Sequence, residues 1–548
     1  MTKSIILQFK NKKNNVNKKN KDNRYFYLWL TFLIVVAIGL FNHEMWRDEL
    51  EAWLIAKDSV SIPEMLDNLK YTGHPSLWYL CLRFISKITT NPLIIQLFNL
   101  IIITAAVFIF IYYAPFNYLH KILFCFSYFP LYEYGMISRV YSLELLLIFS
   151  FCALFCHKKH NYFLLTIVLV LLPHTNIYGL ILGFVFAAIF FQTAIVKAIY
   201  SQKDLIDRRK TGMVLGLSLT VYLVSLLTAI IQITPPAVTE KTTGSTLTSN
   251  SLFKLIKSSE AVITGIWRSY VPIPRFSLEN FWGSNILAES NFLPEIANID
   301  LNSFLSAVIS LVLLAIFTII FARNYKVLFT YVASNALIIA FGLQYKVPSI
   351  RHNGHLFILL IVCFWIFLSE ARTNYAKNRP RIFKVLSSYQ NLLLTIILCI
   401  QFYAGIKMYA IDLNRVFSNS QNVARYIKSH QLEQLTIVGS RYRIVFPLSA
   451  WLDRPIYYPE INRFGTFTIW TSKSVPGNTR ISQQEMLQRV AKLKRENKML
   501  LVLDQKLNNI DTSLNYKLLV AYEDAIVTRE NYFIYLIEKN EKSGIEHN

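Results

Sequence analysis

The stretch YFYLWLTFLIVVAIGLFNHEMWRDELEAW, residues 25–53, decides the fold class of this chain. Its first seventeen residues are nearly all apolar, and about 20 such residues cross the hydrocarbon core of a bilayer as an α-helix. Directly after them come Arg47, Asp48, Glu49 and Glu51. A membrane helix therefore brings a charged cluster to a membrane surface, and we expect polar chemistry there.

The composition of the whole chain is that of an integral membrane protein. Of its 548 residues, 54% are hydrophobic and 14% aromatic, which is too apolar for a soluble enzyme. The net charge of +23 would suit a nucleic-acid-binding protein. Lysine and arginine gather, however, in loops between apolar segments, as in the cytoplasmic loops of membrane proteins. Nucleic acid is therefore not expected as a partner. The six cysteines lie in apolar segments and indicate no disulfide framework.

Eleven apolar segments are interpreted as membrane spans. Because lipid offers the backbone no hydrogen-bond partners, an α-helical polytopic membrane protein is the expected fold class. The predicted spans are residues 25–41, 93–113, 119–134, 138–156, 161–173, 175–196, 212–233, 303–322, 326–344, 352–369 and 389–411.

The distribution of positive charge predicts which loops face the cytoplasm. The tail at residues 1–24 carries eight Lys or Arg and one Asp, and is predicted to be disordered and cytoplasmic. Alternation from there places the other basic loops inside and the loops at 42–92 and 234–302 outside. This parity requires that Pro75–Ile88 does not cross, so we predict a half-inserted or interfacial helix there.

The chain changes character after the transmembrane domain, which is assigned to residues 25–411. Residues 412–548 alternate short apolar runs with helical patterns, which predicts a small soluble α/β domain outside the membrane. Its predicted strands are 435–439, 499–503 and 532–537, and its predicted helices 421–430 and 484–498. Nucleotide, serine-hydrolase and zinc motifs do not occur in the sequence.

Under this topology the unusual polar side chains share the outer face of the membrane. Polar groups gathered at helix ends on one side typically mark a substrate cavity. The candidate site residues are Arg47, Asp48, Glu49, His74, Glu133, Arg139, Tyr141, His174, Tyr178, Arg351 and His352.

The two earliest clusters also have structural interpretations. Asp48 and Glu49 lie where acidic residues stabilise the N-terminus of a helix, and adjacent residues point about 100° apart on a helix. His74-Pro75 has the pattern of a helix start. Both interpretations stay open on the sequence alone.

The later clusters are equally open. Glu133 and Arg139 are expected either to form a buried ion pair or to leave Arg139 free to bind phosphate, which its planar guanidinium matches. Residues 174–178 are either a polar turn or part of a site. Arg351 either binds a lipid phosphate or extends to the lipid headgroups.

The order of these motifs resembles the GT-C superfamily of integral-membrane glycosyltransferases. The resemblance is to its family-39-like group, which includes protein O-mannosyltransferases and the aminoarabinose lipid A transferase. The stretches that carry it are Arg47-Asp48-Glu49, Gly73–Tyr79, Ser138–Tyr141 and His174–Gly179. The likeness covers residues 25–370 and leaves the soluble tail outside.

The resemblance implies an enzyme of the cell membrane that moves a sugar from a polyprenyl-phosphate carrier to a lipid, glycan or protein acceptor on the outer face. It implies Asp48 as general base or acceptor-positioning carboxylate, with Glu49 as the second choice. Arg139 and Arg351 would hold the carrier phosphate, and His74 would line the acceptor side. No cofactor is required by the pattern; a divalent cation on the two carboxylates is left open.

Two other functions fit a polytopic protein of this kind. A transporter or flippase of lipid-linked sugars would place its polar residues near mid-bilayer in paired repeats, and the sequence has no internal repeat. A non-catalytic scaffold for envelope assembly would make Asp48 dispensable.

Overall fold

The computed structural model describes most of the chain. The described residues are 2–157, 161–200, 205–234, 249–275, 282–289, 293–296, 299–345, 349–374, 381–469, 481–493, 497–508 and 514–539. Parts of the predicted basic loops and of the 234–302 loop lie outside these ranges.

The described chain is mostly helical, with a small sheet near its C-terminal end. The helices are α1 Thr2–Asn42, α2 Arg47–Asp58, α3 Ile62–Leu69, α4 Leu77–Ser86, α5 Ile94–Tyr113, α6 Tyr118–Cys125, α7 Tyr141–Phe155, α8 Tyr162–Leu171, α9 Ile177–Ile199, α10 Leu205–Ile233, α11 Ser249–Tyr270, α12 Leu301–Phe321, α13 Tyr325–Tyr345, α14 Ile350–Asn374, α15 Arg381–Asn414, α16 Ser420–Ser429, α17 Tyr442–Val445, α18 Pro447–Leu452 and α19 Gln483–Ala491. The strands are β1 Glu295–Ile296, β2 Ile299–Asp300, β3 Thr436–Gly439, β4 Ile456–Tyr458, β5 Arg463–Gly465, β6 Lys498–Leu503, β7 Leu514–Tyr522 and β8 Tyr532–Lys539.

Within the described residues, 8 helices are long and apolar enough to cross a membrane. They lie in α1, α5, α9, α10, α12, α13, α14 and α15. The other three predicted spans, 119–134, 138–156 and 161–173, fall on the shorter helices α6, α7 and α8. Length and apolarity therefore indicate a multi-pass membrane protein and do not confirm the count of eleven.

Two predictions near the N-terminus differ from the structure or gain detail from it. The tail predicted to be disordered, residues 1–24, is helical from Thr2 as part of α1. That stretch contains no Pro and no Gly, so nothing in its backbone chemistry ends the helix before the span begins. Pro75–Ile88 contains the short helix α4, whose 10 residues are too few to cross a bilayer as a helix.

The chain between α6 and α7 is irregular and is buried except at Phe126 and Arg139, which are partly exposed. Residues Tyr128–Glu133 form a π-helical turn that contains Pro130, which has no N–H to continue an α-helix. The N–H of Tyr134 donates to the carbonyl of Phe129, five residues back, at 2.8 Å. Residues 134–140 then run without regular structure to α7, and this buried loop carries Arg139.

The soluble domain is a six-stranded mixed sheet with helices on both faces. Its strand order is β5-β4-β3-β6-β8-β7, and β3 pairs in parallel with both β4 and β6. On β6, Met499 and Leu501 pack with residues of α19, while Leu500 faces the cluster that contains α16. Burial on both faces explains why Met499–Leu503 of this strand are all apolar.

The predicted strands of this domain correspond to β3, β6 and β8. Strands β4, β5 and β7 were missed: β4 and β5 have only 3 residues each, and β7 mixes apolar and polar residues along its length. The predicted helices correspond to α16 and α19.

Hydrogen bonds connect the segment that follows α15 both to the β7–β8 connection and to the turn before α2. The N–H of Ile526 donates to the carbonyl of Val416 at 2.9 Å, and that of Val527 to the carbonyl of Phe417 at 3.1 Å. The N–H of Phe417 donates to the Glu44 carboxylate at 2.8 Å. The end of α15 and the turn before α2 are therefore tied to the β7–β8 connection.

Helix α15 packs directly against the π-helical turn at Gly405. A Cβ at Gly405 would lie 2.6 Å from the carbonyl oxygen of Phe126 and 2.8 Å from the carbonyl carbon of Ser127. Both atoms belong to the backbone, so the contact cannot be relieved by a side-chain rotation. This position therefore accepts only glycine without moving one of the two elements.

We predict that Gly405→Ala lowers the stability of the protein by about 1–3 kcal/mol, the usual cost of overpacking a core. The control is Gly216→Ala in α10, where an added Cβ meets nothing within 4 Å. Thermal unfolding of the two variants in detergent compares them directly. A melting temperature for Gly405→Ala equal to that of Gly216→Ala would contradict the packing described here.

Candidate active site

A polar cavity of about 250 Å³ opens at the membrane-domain end that faces the soluble domain. It is built by the first turn of α2, the turn before α4, the buried loop before α7 and the first turn of α14. Its lining residues are Asp48, Glu51, Ala52, Tyr71, Thr72, His74, Trp78, Tyr79, Arg139, Val140, Thr175, Arg351 and His352. Five of the eleven residues predicted from the sequence therefore line one cavity.

Asp48 is the centre of the charges in this cavity. Its Oδ2 lies 3.1 Å from Nη1 of Arg139 and 3.1 Å from Nη2 of Arg351. Its Oδ1 lies 3.6 Å from Nε of Arg47. Three arginines from three separate elements thus converge on one carboxylate that is only 21% exposed.

The surroundings of Asp48 keep it ionised. Burial alone would raise the pKa of its carboxyl group, but Arg351, Arg139 and Arg47 outweigh burial and hold the pKa below its ordinary value of 3.8. In this arrangement Asp48 is a carboxylate at neutral pH and a weak proton acceptor.

His74 lines the cavity in its neutral form. Burial, Arg139 and Arg351 together lower the pKa of its imidazole to about 3, against the opposing effect of Asp48. The turn that carries His74 begins with Gly73 at φ +71°, a conformation that favours glycine. The backbone N–H and the hydroxyl of Ser76 both donate to Oε1 of Gln232 in α10 at 3.0 Å, which fixes the other side of this turn.

Glu49, predicted as the second catalytic carboxylate, lies behind the cavity and not in its lining. Its Oε1 accepts from the backbone N–H of Ser138 at 2.6 Å, and its Oε2 accepts from the backbone N–H of Trp46 at 3.1 Å. The residue is only 1% exposed. Adjacent helical residues point in different directions, so Asp48 faces the cavity while Glu49 holds the buried loop.

On the side away from the cavity, Glu49 contacts the buried His43, which in turn contacts Asp412. Nε2 of His43 lies 3.3 Å from Oε2 of Glu49, and its Nδ1 lies 3.1 Å from Asp412 at the end of α15. Burial would lower the pKa of His43, but the two carboxylates outweigh it and raise the pKa well above 6.5. The hydroxyl of Tyr132 also donates to Asp412, at 3.0 Å. His43 and Asp412 were not predicted, because nothing in their local sequence signals the long-range contact.

An aromatic and histidine wall supports the arginine side of the cavity. The guanidinium group of Arg139 lies over the ring of Tyr141 at 5.5 Å. The ring of Tyr178 stacks on those of His352 and His355, with centroid distances of 5.5 and 4.3 Å. Tyr141 and Tyr178 therefore position cavity residues instead of lining the cavity.

A second buried polar cluster lies beneath this wall. Nε2 of His355 is 2.7 Å from Oε2 of Glu144, to which the side-chain amide of Asn176 also donates at 2.5 Å. Oδ1 of Asn176 accepts from the N–H groups of Tyr178 and Gly179, so Asn176 caps α9. The polar break predicted at residues 174–178 is therefore a helix start that also places Thr175 in the cavity.

Glu133 and His174, both predicted site residues, lie outside the cavity lining. Glu133 is buried and accepts from the hydroxyl of Tyr128 at 2.9 Å and from Nε1 of Trp282 at 3.4 Å. Arg139 forms its ion pair with Asp48, not with Glu133. Nε2 of His174 is 3.5 Å from the hydroxyl of Thr228 in α10.

Two cavity-lining groups retain unused hydrogen-bonding atoms. Nε of Arg351 and Nδ1 of His352 are buried and have no hydrogen-bond partner within the described part of the chain. Buried polar atoms are nearly always satisfied in native proteins, so such exceptions point to a ligand or an ordered water. Both atoms belong to the first turn of α14, next to Asp48.

The soluble domain supports the first turn of α2 through Glu530. Oε1 of Glu530 accepts from the backbone N–H of Arg47 at 3.1 Å, and its Oε2 accepts from the hydroxyl of Ser418 at 2.6 Å. Burial raises the pKa of Glu530 to about 7, an effect that Arg47 and Ser418 oppose and Asp48 reinforces. The carboxyl group of Glu530, 482 positions after Asp48, thus holds the backbone of Arg47, the residue next to Asp48.

The charges around Asp48 do not resemble a metal site. Asp48 is bound to arginines and Glu49 to backbone N–H groups and His43, so the two carboxylates do not converge on one point. Among the residues that the structure describes, no group of 3 or more His, Cys, Asp or Glu is arranged to hold a metal ion. The divalent cation left open by the sequence has no donor set here.

Comparisons with known proteins leave the family of this chain undetermined. No protein-family model matches it, and no curated protein or solved structure is significantly similar to it.

The raised pKa of Glu530 predicts a specific pH dependence of stability. A carboxyl group whose folded-state pKa is about 7, against 4.5 when unfolded, favours folding while it is protonated. The folded state therefore loses stability as the pH rises from 4.5 to 7, by up to about 3 kcal/mol.

We predict that Glu530→Gln, which stays neutral, removes most of that loss. The melting temperature of the detergent-solubilised protein, measured from pH 5 to pH 8, should fall less steeply in the variant than in the wild type. Asp67→Asn, at a carboxylate on the exposed surface of α3, serves as the control. If Glu530→Gln has the same pH profile of melting temperature as the wild type, the raised pKa of Glu530 is contradicted.

Proposed function

We propose that the protein is a membrane glycosyltransferase that moves a sugar from a polyprenyl-phosphate donor to an acceptor hydroxyl on the outer face of the cell membrane. The observation that carries this proposal is the Asp48 carboxylate held between Arg139 and Arg351 in a cavity at a membrane surface. The motif order that resembles GT-C enzymes adds to it, because Asp48 and Arg139 belong to the stretches that carry the likeness.

The two arginines suit the donor phosphate. A planar guanidinium group binds phosphate oxygens with paired hydrogen bonds. Their fixed positive charges would offset the charge that develops on the leaving phosphate as the sugar–oxygen bond breaks. Nε of Arg351 remains available for such a bond.

Asp48 lines the cavity and contacts both arginines, and it is the proposed base. The hydroxyl proton of the acceptor passes to Asp48 while the hydroxyl oxygen attacks the anomeric carbon. The bond from that carbon to the phosphate oxygen breaks, and its electron pair leaves with the polyprenyl phosphate. A positioned base of this kind contributes about 10²–10⁴-fold to the rate.

Neutral His74 fits a role in holding the acceptor or the sugar. With a pKa of about 3 it is uncharged at physiological pH and offers one donor and one acceptor nitrogen. It lines the cavity together with Thr72 and Tyr79, and it lies near Arg139 and Arg351. Hydroxyl-rich ligands match this combination of small polar and aromatic groups.

The proposed topology keeps the N-terminus cytoplasmic and places the cavity and the soluble domain outside. Contacts support eleven crossings. The ring of Tyr118 at the start of α6 stacks on Tyr25 at 6.3 Å, whereas Arg139, just beyond the π-helical turn, lies at Asp48. Helices α7 and α8 then lead away from the cavity and return to it at Thr175. Each of the three short helices α6, α7 and α8 would thus cross the membrane together with the irregular segment at its end.

We predict that Asp48→Asn abolishes sugar transfer, with a loss of at least about 100-fold, because the variant has no basic carboxylate. The test uses a deletion strain that carries either the wild type, Asp48→Asn or the surface control Asp67→Asn. Mass spectrometry of glycolipids and glycoproteins compares the three strains and also identifies the product that disappears.

Membrane insertion and amount of each variant are measured in the same strains. Asp67→Asn should restore the parental profile, and Asp48→Asn should not, although it is inserted to the same level. A parental profile in the Asp48→Asn strain would contradict the catalytic role of Asp48.

A further inference from the structure

The ion pairs of Asp48 conflict with its proposed work as a base. A carboxylate shared by Arg139 and Arg351 at 3.1 Å each binds a proton poorly. The same two guanidinium groups are also the donors available to a phosphate. Base and phosphate therefore compete for the same partners in the unliganded site.

We propose that Asp48 is an internal stand-in for the donor phosphate: it occupies Arg139 and Arg351 until a phosphate takes them, and only then is free to accept a proton. This inference rests on the proposed function, since it concerns the order of events in that same cavity. It makes the base inactive in the absence of donor. Hydroxyl compounds, including water, would then not be activated before the donor is bound.

The geometry supports an exchange of one anion for another. Both guanidinium groups bind the single oxygen Oδ2, so each has further N–H groups that this oxygen does not use. A phosphate group offers separate oxygens to the two arginines and can also accept from the unpartnered Nε of Arg351. Phosphate can therefore satisfy more donors here than Asp48 does.

The arginines are held in place independently of Asp48. The guanidinium group of Arg351 lies 5.3 Å from the ring centre of Trp46, and the hydroxyl of Tyr134 donates to the carbonyl of Arg351 at 2.8 Å. Arg139 lies over Tyr141 and follows Ser138, whose N–H is bound by Glu49. Both cations would stay in position when Asp48 leaves them.

Other charged or titratable groups also act on Asp48 from the elements packed around it. They are Arg47 and Glu51 on α2, His74 in the turn before α4, Tyr79 on α4, Tyr141 on α7, His352 on α14 and Glu530 from the soluble domain. Among them His74 also lies near both arginines, so phosphate binding would raise its pKa as well. A test of proton uptake must therefore separate His74 from Asp48.

Affinity for phosphate in the Asp48→Asn protein tests the competition directly. The full-length protein in detergent is titrated with farnesyl phosphate and, separately, with inorganic phosphate. Removing the internal competitor should tighten binding of both by roughly tenfold, within the usual range of coupling between two ligands. Asp67→Asn should bind both as the wild type does.

Two results would overturn the inference. One is unchanged or weaker binding of farnesyl phosphate by Asp48→Asn. Another is tightening for farnesyl phosphate alone, which would assign the gain to apolar contacts and not to the phosphate group. If Asp48→Asn abolishes transfer without a gain in phosphate affinity, the proposed function stands and the competition is wrong.

Proton uptake provides a second measurement that does not depend on the folding of Asp48→Asn. Calorimetry of farnesyl phosphate binding is done with the His74→Gln protein at pH 4, in two buffers of different ionisation enthalpy. At this pH a released carboxyl group with the ordinary pKa of 3.8 is partly protonated, whereas a phosphate monoester, with a second pKa of about 6, keeps a single charge. In this variant the imidazole of His74 is absent and cannot take up a proton. Proton uptake on binding therefore supports the release of Asp48 from the arginines. Identical apparent enthalpies in the two buffers would contradict it.

Discussion

The whole cavity depends on how one buried, irregular loop satisfies its backbone. Residues 134–140 leave the π-helical turn and reach α7 without regular hydrogen bonds, and all of them except Arg139 are buried. Two successive carboxylates in the first turn of α2 bind this loop. Glu49 binds the N–H of Ser138, and Asp48 binds the guanidinium group of Arg139. Loss of the Glu49 contact would separate the loop from the helix.

These contacts explain why the adjacent residues Asp48 and Glu49 have different roles. Glu49 is enclosed and bound to backbone N–H groups and His43, so it holds structure. Asp48 faces the cavity and is bound only to arginine side chains, so it can exchange its partners. Glu530 of the C-terminal domain also accepts from the backbone N–H of Arg47, which fixes the start of α2.

The sequence predicted the parts that follow from local pattern. Apolar length identified a multi-pass membrane protein, and alternation identified the soluble α/β domain with three of its strands. The charged motifs led to Asp48, His74 and Arg139. What the sequence could not show depends on distant contacts: His43 meets Asp412 across 369 residues, and no local signal marks either. Short helices broken by Pro or polar turns likewise fall below the length on which a span count relies.

The most direct measurement is a cryo-electron microscopy structure of the protein in nanodiscs with farnesyl phosphate bound. Release of Asp48 by phosphate predicts phosphate density about 3 Å from the guanidinium groups of both Arg139 and Arg351. It also predicts that the Asp48 carboxylate has moved out of contact with them. Phosphate bound elsewhere, or bound while Asp48 still contacts both arginines, would contradict the proposed site.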